Sequence, residues 1–420
     1  MAAAPAAASS FDRDRHVKYW KRCHGAFLPA PYTANDSTRM TLACFIVSSL
    51  DLLDSPLSAH ERAACRTWVL SLQHPDGGFC GGAAHGSVQR DRGTANLAPT
   101  FFALILLTYA AESEDEQRRA FAGVDRRKLL SWLKKLQRED GGFGQLLWQG
   151  TPVGGNDVRH SYMAAGIRWM LRGNVARDDA AWVEDIDVDS LVAAIRQTQT
   201  LDGGMGESTA IHESHGGYTY CAVAALSLLG RPSDPSEPRS DSFLSAGVPR
   251  RHELLKFLSH RQFSYLTEDE EECEDEENFI QSQLDELNLN QEPQYVGMNG
   301  RWNKKADTCY YWWAAGALAL LHESSMVCAA PARRYLLDVT QHAIGGFSKG
   351  AQGPPDIYHS YLGLTALSVM GEQKLKKLDP ELCCSVETTA KIATARAGLL
   401  QAVRAADMAA WENDGFWQAT

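Results

Sequence analysis

The chain has 420 residues, a formal net charge of −11 and 44% hydrophobic residues, which fits a globular protein with a sizeable core. The negative charge argues against a sequence-independent nucleic-acid binder, since such proteins need a basic face. Ten cysteines without a CxxC pair predict free thiols in a reducing compartment. The start lacks the apolar segment of a signal peptide, and no uncharged apolar run reaches about 18 residues. We therefore expect a cytoplasmic protein without a membrane span.

An internal repeat built on glycine turns sets the expected architecture. The motif recurs at Asp76–Phe79, Asp140–Phe143, Leu201–Gly206 and Ile344–Phe347. Each copy follows an amphipathic segment and precedes a more apolar one, and the glycines can supply the positive φ that ends a helix. Amphipathic helices belong outside and apolar ones inside. The pattern predicts an all-α fold, an (α/α) toroid or barrel of alternating outer and inner helices with Gly-rich turns.

The expected domain organisation is simple. We expect residues 1–10 to form a disordered tail and residues 11–420 to form a single domain. The charge block Thr267–Glu277, with the polar stretch that follows it, predicts a disordered acidic insertion at about residues 266–293. The Pro- and Ser-rich residues 231–245 suggest a linker, and the final fifty residues suggest a closing helix and a tail.

Parallel inner helices would begin on one rim, where free N–H groups and positive dipole ends favour anions. At one such start, a basic loop with Arg301 and Lys304 turns into an apolar helix. Asp307 suits the N-cap and Cys309 the second helical position. The helix dipole and the nearby cations are expected to lower the pKa of the Cys309 thiol.

His359 occupies a similar place at another inner-helix start, with Asp356 as its expected cap. One Asp, one Cys and one His form a three-ligand zinc set, and the open fourth position is typical of a catalytic site. Taken one at a time, Asp307 can be an ordinary N-cap, Cys309 a buried apolar residue and His359 a structural histidine.

The cations near these positions suggest an anion site. Four side chains are expected to converge on a multiply charged anion such as a diphosphate: Arg301, Lys304, His215 and Tyr310. Arginine offers forked hydrogen bonds, lysine a point charge and tyrosine a hydroxyl donor. The inner helices are rich in aromatic residues and leucine, so an apolar funnel beside this site would fit an isoprenoid diphosphate. The alternative for Arg301 and Lys304 is a solvated basic loop.

Four motifs carry a family resemblance over nearly the whole chain: RDRHVKYWKRC, SHGGYTYC, GRWNKKADTCY and PDIYHSYLGL. They resemble the β subunits of the protein prenyltransferases, with the greatest similarity to the type I geranylgeranyl-transferring branch. The resemblance implies an α–α barrel in which Asp307, Cys309 and His359 bind one Zn²⁺. It implies that the open zinc position takes a substrate cysteine thiolate, which attacks C1 of the prenyl diphosphate. It also implies diphosphate binding by His215, Arg301, Lys304 and Tyr310.

The same resemblance assigns the remaining site residues. Lys349 lies where the farnesyl-transferring relative has a magnesium-binding Asp, so Mg²⁺ is expected to be dispensable. Thr41 lies where that relative has a Trp closing the bottom of the funnel, which leaves room for a C20 chain. Further prenyl-lining positions are Phe101, Arg159, Tyr162, Gly217, Cys221 and Trp313. The peptide pocket is assigned to Thr41, Phe45, Tyr358 and Asn96, the last replacing a His that helps to hold the substrate C-terminus.

The resemblance implies binding partners, and it leaves alternative functional assignments open. Expected partners are a prenyltransferase α subunit in an obligate heterodimer, geranylgeranyl diphosphate, and CaaX proteins such as Rho-type small GTPases. The nearest alternative is a farnesyltransferase β subunit, against which Thr41 and Lys349 argue. A triterpene cyclase shares the toroid, but the chain lacks a DxDD motif. A non-catalytic toroid used for binding is the third class.

Overall fold

The computed structural model describes residues 10–26, 28–85, 94–210, 213–266, 293–406 and 411. The inner helices are α2 (Arg39–Leu52), α4 (Leu97–Tyr109), α7 (Val158–Leu171), α9 (Gly216–Gly230), α12 (Thr308–Leu320) and α14 (Ile357–Val369). The outer helices are α1 (Arg13–Gly25), α3 (Ala59–Leu70), α6 (Arg126–Lys135), α8 (Val188–Gln197), α11 (Arg251–Ser259) and α13 (Ala329–Tyr335). The predicted alternation is confirmed over these ranges.

The remaining elements are short, apart from one long final helix. The helices are α5 (Glu114–Arg118), α10 (Ser242–Gly247) and α15 (Val386–Arg404). The 3-10 turns are Ala30–Thr38, Ala83–His85 and Ser324–Met326, and a π turn, Leu336–Thr340, extends α13. The antiparallel strand pairs are β1 (Leu146–Trp148) with β2 (Thr151–Val153), β3 (Gln262–Ser264) with β4 (Val296–Met298), and β5 (Leu378–Asp379) with β6 (Cys384–Ser385).

The inner helices form a closed ring in chain order, in which each helix packs against the next and α14 packs against α2. Their first turns meet at one end of the ring, which we call the mouth. There His215, which caps α9, contacts Tyr310 of α12, and Asp307, which caps α12, contacts His359 of α14. The predicted toroid with parallel inner helices is therefore confirmed.

Side-chain caps mark this end of the ring. Asn96, Asp157, His215, Asp307 and Asp356 each accept a hydrogen bond from a backbone N–H of the inner helix that they precede. These caps satisfy donors that a helix start otherwise leaves unpaired. Five polar side chains thus converge around the mouth of an apolar barrel.

The glycine turns adopt the predicted backbone, and a glutamine before each turn links neighbouring repeats. Gly141, for example, has φ +86°, and a Cβ there would lie 2.1 Å from the Ser190 carbonyl oxygen. In the same repeat, the side chain of Gln137 donates to the Asp187 carbonyl at 2.8 Å and accepts from the Asp187 N–H at 2.7 Å. This contact fixes the start of the next outer helix, α8, a role that the sequence pattern did not reveal.

The ring is closed by a histidine of the first helix. The Gly346 N–H donates to Nδ1 of His16 at 3.1 Å, so Nε2 carries the proton and donates to the Gln341 side chain at 2.9 Å. The imidazole is fully buried and stacks between Phe11 and Phe347. Burial lowers the pKa of His16 to about 4, so the ring is neutral at physiological pH.

The final helix covers the end of the ring opposite the mouth. Helix α15 packs against α4 and α7, and its Arg396 donates to the Trp169 carbonyl near the end of α7 at 2.8 Å. Among the described helices, none is both long and apolar enough to cross a membrane. The predicted acidic insertion and N-terminal tail lie, for residues 267–292 and 1–9, outside the described residues.

Candidate active site and metal centre

The predicted metal ligands meet at the mouth. Asp307 is the N-cap of α12, and its Oδ1 accepts from the Cys309 N–H at 2.9 Å, which puts Cys309 at the predicted second helical position. Nε2 of His359, on the neighbouring α14, lies 3.3 Å from the same Oδ1. The ligand atoms of Asp307, Cys309 and His359 all lie within 4.8 Å of one another. This cluster could hold a metal ion.

Asp356 orients the histidine of this cluster. Its Oδ1 accepts from the His359 N–H at 2.8 Å, and its Oδ2 lies 2.6 Å from Nδ1 of the same residue. Burial disfavours the charged imidazole, but hydrogen bonds to Asp307 and Asp356 outweigh it and raise the pKa of His359 to about 9. A carboxylate behind a ligating histidine is typical of metal sites. Asp356 was expected only as a cap, although its three-residue spacing from His359 allows both roles.

The expectation of a lowered pKa for Cys309 is wrong. Burial and the adjacent Asp307 carboxylate raise the pKa of this thiol well above its ordinary value. The cations invoked for it lie elsewhere, because Arg301 pairs with Glu213 and Lys304 is exposed. Coordination to a metal removes a thiol proton outright. The position of Cys309 therefore suits a metal ligand rather than a free nucleophile.

Lys349 lies at the solvent edge of the cluster. Its Nζ is 3.8 Å from Oδ2 of Asp307, and its side chain is 71% exposed. The Lys349 carbonyl accepts from the Thr308 N–H at 2.8 Å, which ties this loop to the start of α12. A positive charge is thus available beside the cluster, and its role as a substitute for Mg²⁺ stays a prediction.

His215 orients the Tyr310 hydroxyl, a hydrogen-bond donor at the mouth. The Gly217 N–H donates to Nδ1 of His215 at 3.0 Å, so Nε2 carries the proton and donates to the Tyr310 oxygen at 2.9 Å. Burial, followed by the charges of Arg301 and Arg159, lowers the pKa of His215 to about 4. Burial also raises the pKa of Tyr310. The Tyr310 O–H therefore stays protonated and is free to donate to an anion.

The loop before α12 adds positive charge at the same place. The Gly216 N–H donates to the Gly300 carbonyl at 2.8 Å, which pins this loop to the start of α9. Arg301 donates to Glu213 at 2.9 Å, while the side chain of Lys304 is exposed. The structure brings Arg301 near His215 and Tyr310, whereas it leaves Lys304 on the solvent side of the loop. Glu213 was not predicted as the partner of Arg301.

Arg159 contributes a second oriented cation. Its guanidinium makes forked hydrogen bonds to the cap residue Asp157, including 3.0 and 2.9 Å contacts from Nε, and these bonds raise the pKa of Arg159. The same group lies over the Tyr218 ring, 5.4 Å from its centre. Because α7 and α9 are neighbours, this arrangement holds Arg159 at the wall of the cavity. Neither Asp157 nor Tyr218 was singled out from the sequence.

Below the mouth lies an apolar cavity of about 520 Å³. It is lined by most of the predicted prenyl and peptide residues. These are Thr41, Phe45, Phe101, Arg159, Tyr162, His215, Gly217, Cys221, Tyr310, Trp313 and Tyr358. Stacked and tilted ring contacts, such as Phe45 with Tyr361 at 4.6 Å and Phe101 with Tyr162 at 5.3 Å, give the wall its shape.

Two predicted positions lie at the starts of inner helices. Thr41 lies in the first turn of α2 and lines the cavity. Its role in leaving room for a C20 chain stays a prediction. Asn96 is not among the lining residues, since its side chain accepts from the Ala98 N–H at 3.2 Å and caps α4. Its assignment to the peptide pocket stays a prediction.

Comparison with known proteins agrees with this geometry. Residues 11–384 match the prenyltransferase alpha-alpha toroid domain. The chain is 30% identical over 393 residues to geranylgeranyl transferase type-1 subunit beta of Arabidopsis thaliana, covering 89% of each chain. It is 28% identical over 383 residues to protein farnesyltransferase subunit beta of Pyricularia oryzae, covering 85% of this chain and 62% of that one.

The structural comparison gives the same result. The fold matches the solved structure of Candida albicans protein geranylgeranyltransferase-I complexed with GGPP, with a TM-score of 0.72 and 26% identity. The match covers 91% of this chain and 98% of that chain. Because the domain match spans most of the sequence and the toroid agrees with it, the chain belongs to the prenyltransferase alpha-alpha toroid family.

Proposed function

We propose that the chain is the catalytic β subunit of a zinc-dependent protein geranylgeranyltransferase type I. It would transfer a C20 geranylgeranyl group from geranylgeranyl diphosphate to the cysteine thiol of proteins that end in CaaX, with X often Leu. The observation that carries the proposal is the buried Asp307, Cys309 and His359 cluster at the mouth of an apolar cavity. The similarity to geranylgeranyl transferase type-1 β subunits supports the same assignment.

The donor set favours zinc. A thiol, an imidazole and a carboxylate suit Zn²⁺, and three protein ligands leave one position for a substrate. Magnesium prefers oxygen ligands, which this cluster does not offer in sufficient number. When bound, zinc lowers the pKa of a coordinated substrate thiol, so that a thiolate is present at neutral pH. Asp356 would hold His359 in the orientation that leaves Nε2 facing the metal.

The anion site would stabilise the leaving group. As the bond from C1 to the diphosphate breaks, negative charge grows on the departing oxygen, and donors aimed there lower the barrier. Nε2 of His215 donates a hydrogen bond to the Tyr310 oxygen, so the O–H of Tyr310 remains available to donate to the diphosphate. Arg301 can exchange its contact with Glu213, whose side chain is 62% exposed, for a stronger one with the diphosphate.

The cavity would hold the prenyl chain and exclude water. Its wall is made largely of aromatic rings and aliphatic side chains, and the charged or hydrogen-bonding groups Arg159, His215 and Tyr310 line its mouth end. An apolar wall of this kind binds an isoprenoid without specific polar contacts, while the polar groups fix its orientation. The reacting carbon would then lie between the leaving group and the thiolate, which is the positioning that a displacement needs.

The finer assignments remain part of the proposal. They are an α subunit as obligate partner, Rho-type small GTPases among the substrates, Mg²⁺-independent transfer and a cytoplasmic location. A chain with net charge −11 suits substrate tails that carry basic residues. The second candidate is a farnesyltransferase β subunit, which is favoured by the similarity to the Pyricularia protein.

Co-expression with a prenyltransferase α subunit tests the proposal. The heterodimer should carry one zinc, and it should transfer C20 faster than C15 to a peptide ending in Leu, with or without Mg²⁺. His359→Ala should abolish zinc binding and transfer. His252→Ala, at an exposed position on outer helix α11, is the matched control and should retain both. A zinc-free heterodimer, or full activity in His359→Ala, would contradict the assignment, and faster C15 transfer would favour the second candidate.

A further inference from the structure

The carboxylate of one glycine turn joins the two segments that form the anion site. Asp202 belongs to the turn Leu201–Gly206 of the repeat. Its Oδ2 accepts a hydrogen bond from the indole N–H of Trp302 at 3.0 Å, across 100 positions of the chain. Its Oδ1 accepts from the hydroxyls of Ser214 and Thr200. This single side chain therefore contacts both the loop before α12 and the segment before α9.

Both contacts lie directly beside residues of the anion site. Trp302 follows Arg301 in the sequence, and Ser214 lies immediately before His215. On its other side Ser214 adjoins Glu213, the partner of Arg301 at 2.9 Å. The turn carboxylate therefore fixes the position of the arginine loop relative to the segment that carries the histidine.

The indole of Trp302 is held on its face as well as at its N–H. The guanidinium carbon of Arg261 lies 4.4 Å from the centre of the indole ring and 4.5 Å from the centre of the Phe257 ring. Arg261 is fully buried, and its Nη1 donates to Oδ1 of Asn299 at 3.1 Å. A cation over a tryptophan ring is attracted to it, and the attraction grows when the cation is removed from water. Although Trp302 is 51% exposed, two charged groups therefore fix its ring.

Trp302 also lies between two fixed points of the loop backbone. The Gly300 carbonyl is bonded to the start of α9, and the Lys304 carbonyl accepts from the Asn299 side chain at 2.9 Å. Arg301 is the residue between Gly300 and Trp302, so both of its neighbours are held. Ordering a chain segment costs conformational entropy. In this loop, that cost is met by contacts within the folded protein before any anion binds.

We propose that Trp302 is a positioning residue for the diphosphate and that it acts through Arg301. The inference rests on the proposed function. Because its indole is fixed at the N–H and on the face, Trp302 keeps the Arg301 guanidinium near His215 and Tyr310 before the donor arrives. Arg301 then exchanges Glu213 for the diphosphate without a reordering of the loop. Preorganisation of this kind raises affinity by lowering the entropy cost of binding.

A double-mutant cycle on the heterodimer tests this inference, with the dissociation constant of geranylgeranyl diphosphate measured by calorimetry. Trp302→Ala should weaken binding by about tenfold, because the loop must then be ordered when the diphosphate binds. In an Arg301→Ala background the same change should have little further effect, since two changes that act through one contact are not additive. Trp302→Phe keeps a ring over Arg261 but lacks the N–H, so its affinity should be intermediate. Trp148→Ala changes an exposed tryptophan of β1 and should bind the donor like the wild type.

The outcomes separate positioning of Arg301 from a general effect on the mouth. Equal donor affinity in Trp302→Ala and the wild type overturns the inference. An equal loss of affinity in both backgrounds also overturns it, because the indole would then not act through Arg301. Zinc affinity should be unchanged in Trp302→Ala, and a parallel loss of zinc would contradict a role confined to the anion site. Failure of the wild-type heterodimer to bind geranylgeranyl diphosphate would instead contradict the proposed function.

Discussion

Asp356 gives the sharpest test of the metal centre, because its change to Asn removes a charge and preserves shape. In the structure it caps α14 through the His359 N–H, and its second oxygen lies 2.6 Å from Nδ1 of the same histidine. Asn caps helices about as well as Asp. Asp356→Asn should therefore keep the helix start and replace only the charged partner of His359 by a neutral one.

The expected magnitude follows from the type of hydrogen bond. A hydrogen bond to a charged group contributes about 1.5–3 kcal/mol, against about 0.5–1.5 kcal/mol for a neutral pair. The difference of roughly 1.5 kcal/mol corresponds to about a tenfold change in a dissociation constant. Losing the carboxylate behind a ligating histidine generally weakens metal binding by about 10–100-fold. We expect zinc to bind about tenfold more weakly to Asp356→Asn.

The measurement is competition for zinc between the heterodimer and a chromophoric chelator at fixed pH. Thermal unfolding of the zinc-loaded protein checks that the cap survives. Asp189→Asn makes the same chemical change at an exposed position in the first turn of outer helix α8, and it should leave the zinc affinity unchanged. Equal zinc affinity in Asp356→Asn and wild type would refute the role assigned to the carboxylate.

Three further predictions concern the anion site, the turns and the ring closure. Tyr310→Phe removes the hydroxyl donor and should slow single-turnover transfer by about 100-fold, and an unchanged rate would contradict the role of Tyr310. Gly141→Ala introduces a Cβ that would lie 2.1 Å from the Ser190 carbonyl, so it should destabilise the protein in urea by about 1–3 kcal/mol more than Gly150→Ala, where φ is +79° and the space is open. His16 has a folded pKa of about 4, below its ordinary value, so protonation favours the unfolded chain. The stabilisation that neutral His16 gives the folded protein is complete above about pH 6.5 and declines towards pH 4, with about 2 kcal/mol lost at pH 5. The free energy of unfolding of His16→Gln should lack this part of the pH dependence. Identical pH profiles for the variant and the wild type would contradict the role assigned to His16.

The ring of helices was predictable because two local signals agree. Glycine pairs such as Gly345 and Gly346 adopt positive φ where the motif predicts a turn, and the helices on either side differ in polarity. The metal ligands were predictable for a related reason. Asp307 and Asp356 each begin an inner helix, and parallel inner helices must bring their first turns to the same end.

The electrostatics of the site depended on contacts between distant parts of the chain. Arg301 was expected to act on Cys309, eight positions along the sequence, but its partner is Glu213, 88 positions away. Likewise, the pKa of Cys309 is raised by burial, which no local pattern measures. A short basic segment indicates that cations are present, whereas their effect on a given group depends on which way the folded loop faces.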